Sequence, residues 1–189
     1  LGESFSPSYI PPNLYKTLLN ALETRKNFPY IFPTRWTGPS WLIEGRPRFY
    51  MPLAEGITGI LISSPFLLFA AFAGLDKNKT LRWTVLSLAG ASLTAFLTLQ
   101  AFFFLAMRYL LDMIPALSML AVLGFWQTLA HSPNRSARYA AALCGLALCA
   151  YSVFMSLLLS LSGNLELFKL FNPALLKELT VNFNFIFNR

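Results

Sequence analysis

Four long apolar runs constrain this chain more than any other feature: 57–74, 83–107, 113–129 and 139–162. No charge lies between Glu55 and Asp76. A run of this length just crosses a hydrocarbon core of about 30 Å at about 1.5 Å per helical residue. The chain is 56% apolar and 12% charged, whereas an ordinary soluble domain is about 25% charged. These features predict an all-α membrane protein with about four transmembrane helices. Pro65 should kink the first span, with Ser63 or Ser64 helping to satisfy the freed backbone. Ser87, Ala91 and Ala95, and again Ser152, Ser156 and Ser160, recur at four-residue spacing. Such rows let helices approach closely in lipid.

The connectors set an orientation. The loops 76–82 and 131–138 are both basic, while the turn 108–112 has no net charge. Short basic loops stay cytoplasmic. The two basic loops are therefore expected inside, with the Arg108 turn and both ends of the chain extracytoplasmic. The net charge of +7 does not indicate nucleic acid, because the Lys and Arg residues flank apolar runs instead of forming one stripe. Cys144 and Cys149 lie five apart in one apolar run, off a shared helix face, so no disulfide within that helix is expected. No cluster of His and Cys suggests a metal, and no cofactor is expected.

Flanking the spans (56–162) are two regions of different character. The first, 1–55, is rich in Pro and aromatics and is expected to lie along the interface. In it Leu14, Leu18, Leu19 and Leu22 recur at helical spacing after Pro11-Pro12, which predicts a short amphipathic helix. Its bland reading is a packed surface helix. Trp36, Trp41, Trp83 and Trp126 are expected as interfacial anchors, since an indole half-buries its ring and keeps its N–H wet. Leu1–Tyr50 reads like the middle of a longer protein, so a front portion is expected. The tail, 163–189, has a turn at Asn172-Pro173 and then a second interfacial helix over 174–187.

One stretch among the spans carries polar chemistry: Arg108-Tyr109-Leu110-Leu111-Asp112-Met113-Ile114-Pro115. On an α-helical turn Arg108 and Asp112 would stand side by side. The simpler reading is a helix-end anchor. The functional reading is that Arg108 and Tyr109 hold a lipid phosphate, with Asp112 positioning Arg108, because the forked guanidinium suits phosphate. Arg46 and Arg48 offer the same chemistry, but headgroup anchoring accounts for them. Glu55 suits a helix start. His131 has no Ser or Cys partner of recognisable spacing and receives no catalytic role.

The Arg-Tyr-Leu-Leu start to an apolar helix resembles a late segment of the multi-pass C-type glycosyltransferases that use polyprenyl-phosphate sugars. These include the protein-mannosyltransferase-like and aminoarabinose-transferase-like families. Glu55-Gly56-Ile57-Thr58-Gly59-Ile60-Leu61, with Ser64-Pro65-Phe66-Leu67-Leu68, resembles a preceding helix in bacterial members. The likeness covers roughly 52–127. It implies a bacterial plasma-membrane protein, membrane lipids and a polyprenyl-phosphate lipid as partners, and a scaffold role. Members of that group keep their catalytic carboxylate in an early extracytoplasmic loop that nothing here matches, so no catalytic residue is expected within this chain. Where many members have Pro soon after the motif, this chain has Asp112, with Pro115 three residues on. The alternative is an accessory subunit packed against other membrane subunits of a photosynthetic or respiratory complex.

Overall fold

A computed structural model describes residues 4–26, 28–47, 50–74, 79–162 and 167–187. Arg48, Asp76 and the start of the first basic loop lie outside them. The chain is mostly helical. A short helix α1 (Ile10–Leu19) and a two-stranded hairpin β1 (Leu22–Thr24) and β2 (Ile31–Pro33) form an N-terminal layer. Then come α2 (Ile60–Ser63), a 3₁₀ segment (Pro65–Phe72), α3 (Lys79–Gln100), a 3₁₀ turn (Met107–Asp112), α4 (Ile114–Ala130) and α5 (Arg135–Ser162). The tail adds α6 (Leu167–Phe171) and α7 (Pro173–Phe187).

Among the described residues two helices, α3 and α5, are long and apolar enough to cross a membrane. Only 17% of the apolar window of α3 and 28% of that of α5 are buried within the chain. A core helix of a soluble protein would bury most of its surface. Here Leu86, Leu93 and Leu97 on α3, and Leu143, Leu146 and Leu157 on α5, are each more than half exposed. A helix that is apolar all round needs an apolar environment.

The first apolar run does not form the kinked α-helix expected for 57–74. α2 stops after one turn, Ser64 turns out of the helical region at φ −141°, and the chain continues as 3₁₀ helix from Pro65. Proline has no N–H and disfavours αR at the preceding residue, which ends the α-helix there. Ser63 Oγ donates to the Gly59 carbonyl at 3.2 Å, as expected of a serine beside a break. The Phe66 N–H donates to Ser152 Oγ of α5 at 3.2 Å. A 3₁₀ helix rises about 2.0 Å per residue against about 1.5 Å for an α-helix. The segment therefore runs beside α4 from Met113 near its start to Gln127 near its end. There the Gly74 N–H donates to Gln127 Oε1 at 2.7 Å. Phe66 and Phe69 meet the Phe125 ring at 5.9 and 5.2 Å. Gly124 makes the approach possible, since a Cβ there would sit 1.8 Å from the Phe69 carbonyl oxygen.

The second run also departs from expectation. Helix α3 ends at Gln100, and residues 101–106 leave the helix to meet the N-terminal layer. The Phe103 N–H donates to Ser4 O at 3.0 Å, Ser6 N–H to Ala101 O at 2.9 Å, and Met51 N–H to Phe103 O at 3.0 Å. Of the first small-residue row, Ser87 and Ala91 are exposed and Ala95 alone faces the core; Val85, Ser92 and Gln100 are the buried positions of α3. α5 starts four residues before the expected 139, because Asn134 caps it: Asn134 Oδ1 accepts from the Ala137 N–H at 2.7 Å.

α1 is amphipathic in the opposite sense to the one expected. Asn13, Lys16 and Thr17, with Asn20 just beyond, are buried, while Leu19 is 50% exposed. Leu22 belongs to β1, and the 28–33 stretch, expected as a loop, supplies β2.

Candidate functional site

The polar stripe of α1 is buried because it satisfies the backbone of two distant segments. Asn13 Nδ2 donates to the Gln100 and Phe102 carbonyls at 2.9 and 2.8 Å, and its Oδ1 accepts from the Tyr50 hydroxyl at 2.9 Å. Tyr50 stacks on Tyr9 at 4.9 Å, and burial pushes its hydroxyl pKa up. Asn20 Nδ2 donates to Ile57 O at 2.6 Å and Thr34 O at 2.9 Å. Lys16 is fully buried; its Nζ donates to Pro52 O at 2.5 Å and Glu55 O at 2.8 Å. Desolvation lowers the ammonium to about 8, and the charge of Glu55 offsets part of that. Backbone that leaves a helix must find partners when buried. The α1 side chains supply them where α3 stops and where the 50–58 segment enters.

Glu55 extends this network to the Arg108 turn. Its carboxylate accepts from the Met107 N–H at 3.3 Å. Met107 opens the 3₁₀ turn Met107–Asp112, so the carboxylate meets a helix-start N–H. The sequence alone assigns Glu55 to the start of the first span; it serves this turn instead, since α2 begins only at Ile60.

Arg108 is exposed, its guanidinium 5.4 Å from the Tyr109 ring centroid. Tyr109 is half-buried and sits edge-on to Phe102 and Phe104 at 6.3 and 6.1 Å. Asp112 does not take the expected place beside Arg108; among the described residues no ion pair joins the two. The reason is the winding: with three residues per turn, positions 108 and 111 stack, not 108 and 112. Arg46, the other described candidate cation, donates from Nε to Leu42 O at 3.0 Å. Of the expected anchors, Trp41, Trp83 and Trp126 are each more than 60% exposed. Trp36 instead packs on Tyr15 at 5.3 Å.

Beneath the turn lies a cleft of about 340 Å³ lined by Thr58, Ser63, Met107, Leu110, Leu111 and Leu159, among others. It shares Ser64, Ile114, Ser156 and Ser160 with a second cleft of about 390 Å³ that extends along α5 to Ser152 and Cys149. Despite its serines the wall is largely apolar, because hydroxyls bond back to their own helices. Ser152 donates to Leu148 O and Ser160 to Leu157 O, both at 2.7 Å. Thr58 differs: its side chain is 1% exposed and its Oγ1 has no hydrogen-bond partner. The second serine row thus supplies one helix contact, at Ser152, and otherwise lines the cleft.

Sequence reasoning missed Lys16, Glu55 as the support of the turn, and Thr58. A signal existed for the first: Asn13, Lys16, Thr17 and Asn20 recur at helical spacing. Among the described residues no three His, Cys, Asp or Glu side chains gather to hold a metal. His131 Nδ1 lies 2.9 Å from its own helix at Gln127 O. No family model, curated protein or solved structure matches this chain.

Proposed function

We propose that this chain is the membrane-embedded, non-catalytic part of a glycosyltransferase-like protein, and that its Arg108 turn holds the phosphate of a lipid whose chain lies in the cleft below. The observation that carries this reading is the unpartnered, buried Thr58 hydroxyl in a mostly apolar cleft roofed by that turn. Leu111 lines the cleft, and Arg108 stacks above it on the 3₁₀ turn. A guanidinium beside an apolar slot suits an amphiphile with an anionic head. The Arg108-Tyr109-Leu110-Leu111 stretch supports a polyprenyl phosphate as that amphiphile.

In this account α3, α4, α5 and the broken 57–74 segment all cross a bacterial plasma membrane. The unburied apolar faces of α3 and α5 support that, as does the matched length of α4 and the 3₁₀ segment beside it. The N-terminal layer and the Arg108 turn then face outside, and the basic loops face the cytoplasm. An accessory-subunit reading draws on the same exposed faces, which partner helices would cover equally well.

Binding of a polyprenyl phosphate to the purified chain in neutral detergent tests the lipid role. Arg108→Ala should weaken it about tenfold or more, while Asp112→Asn should leave it unchanged. Unchanged affinity in Arg108→Ala would remove the role assigned to the turn.

A further inference from the structure

Thr84, Thr94, Thr98, Thr128 and Thr180 each donate to the carbonyl four residues back in their own helices, the usual partner of a helical threonine. Thr58 has no such carbonyl, because α2 begins only at Ile60. It is buried, and its Oγ1 finds no hydrogen-bond partner. Its backbone is held too firmly to shift and relieve this. Asn20 grips both sides: its Nδ2 donates to Ile57 O at 2.6 Å, and its own carbonyl accepts the Gly59 N–H at 2.8 Å. A Cβ on Gly59 would stand 2.5 Å from Leu18 O, so the two backbones already touch there. A buried hydroxyl left in this state lowers the stability of the free protein.

Thr58 lines the cleft together with Met107 and Leu111 of the Arg108 turn. The Met107 N–H is tied to the Glu55 carboxylate, on the segment that leads into Thr58, and Leu111 stacks under Arg108 on the 3₁₀ winding. The hydroxyl therefore stands at the end of the cleft that the turn covers. Two other hydroxyls of this wall have their protons engaged: Ser63 donates to Gly59 O and Ser160 to Leu157 O. A hydrocarbon chain against Thr58 would leave its hydroxyl unpaired. An anionic oxygen would complete it, and hydrogen bonds to a charged acceptor are the stronger kind.

We infer that Thr58 is itself a ligand-binding residue, its hydroxyl donating to a phosphate oxygen of the lipid from below while Arg108 takes the same phosphate from the turn above; this rests on the lipid-phosphate reading of that turn. The residue is then kept for binding at the expense of stability, and the two effects should separate on substitution. The test compares Thr58→Val, which keeps the shape and removes the hydroxyl, with Thr58→Ser, which keeps the hydroxyl. Each full-length variant is titrated with a polyprenyl phosphate in neutral detergent and melted without lipid. Thr58→Val should bind about tenfold or more weakly, yet melt at a higher temperature than wild type. Thr58→Ser should restore most of the affinity. The phosphorus NMR resonance of the bound lipid should differ between Thr58→Val and wild type at saturation. A lower melting temperature in Thr58→Val would mean that a buried water already satisfies the hydroxyl, and it overturns the inference. Full affinity in Thr58→Val beside weakened binding in Arg108→Ala overturns the role of Thr58 and leaves the turn standing. Full affinity in both variants overturns the lipid-phosphate reading as well. Weaker binding with an unchanged phosphorus resonance overturns the phosphate as the group that Thr58 meets.

Discussion

Lys16 Nζ lies 2.8 Å from the backbone carbonyl oxygen of Glu55, while the Glu55 carboxylate accepts the N–H of Met107. Two bonds thus connect the N-terminal helix to the turn that bears Arg108. The ammonium is fully buried, so its charge is held by backbone carbonyls and by the nearby carboxylate. The geometry of the Arg108 turn therefore depends on a segment far away in sequence.

That burial gives stability a pH dependence. Lys16 titrates near 8 in the folded chain against its ordinary 10.5. Between those values the unfolded chain holds a proton that the folded chain has lost, so stability rises with pH. Below about 8 both states are protonated and the desolvation penalty is fully present. Unfolding in detergent should show stability increasing by up to roughly 2 kcal/mol from pH 8 to 10. Lys16→Met should flatten that slope. Above about pH 10 the raised Tyr50 pKa acts the other way, because only the unfolded tyrosine then loses its proton. A wild-type curve flat from pH 8 to 10 would mean that Lys16 is solvated.

Glu55, not Asp112, should control the order of the Arg108 turn. Glu55→Ala leaves the Met107 N–H without its acceptor, and hydrogen exchange at that amide should accelerate about tenfold or more. Asp112→Asn should change it little. Equal exchange in Glu55→Ala and wild type would show that the carboxylate does not hold the turn.

Gly124 should tolerate no side chain. A Cβ there meets a backbone carbonyl that cannot swing aside, and Gly124→Ala should destabilise by roughly 1–3 kcal/mol. At Gly90, inside α3, an added Cβ would have nothing within 4 Å, so Gly90→Ala should not destabilise and should gain about 0.5–1 kcal/mol of helix propensity. Denaturant midpoints of the two variants make the comparison; similar values would separate α4 from the 3₁₀ segment.

Ser152, Ser156 and Ser160 of α5 should differ although their spacing is regular. Ser152→Ala orphans the Phe66 N–H at the break after Pro65 and should cost about 1–3 kcal/mol. Ser156 and Ser160 are exposed to the cleft, and their alanine variants should be close to neutral. Thermal unfolding of the three single variants checks the ranking.

Much of the helical framework is legible in sequence because unbroken apolar runs encode α4 and α5 locally. What escapes is set by distant partners. Pro65 announces a break, but its outcome depends on Ser152, which accepts the Phe66 N–H from another helix. The end of α3 is invisible to hydropathy because Phe102, Phe103 and Phe104 continue the apolar run. The pairing of Ser4, Ser6 and Met51 with 101–103, together with Asn13 on the Gln100 and Phe102 carbonyls, draws that backbone out. The stripe Asn13, Lys16, Thr17 and Asn20 is visible, yet it looks like a wet face until the carbonyls that it binds are known. At the site, Arg108 and Tyr109 stand out as polar groups among apolar runs. The wrong partner for Arg108 follows from assuming α-helical winding where the chain is 3₁₀.

The proposed function depends most on a four-pass arrangement with the Arg108 turn and the N-terminal layer on one side. Labelling with a membrane-impermeant maleimide in intact cells tests it most directly, on a background of Cys144→Ala and Cys149→Ala. Trp41→Cys and Asp112→Cys should react from outside, whereas His131→Cys and Arg135→Cys should react only after permeabilisation. All four positions are exposed on the chain, so burial does not complicate the readout. Reaction of all four from one side, or of Trp41→Cys and Asp112→Cys from opposite sides, would contradict the arrangement.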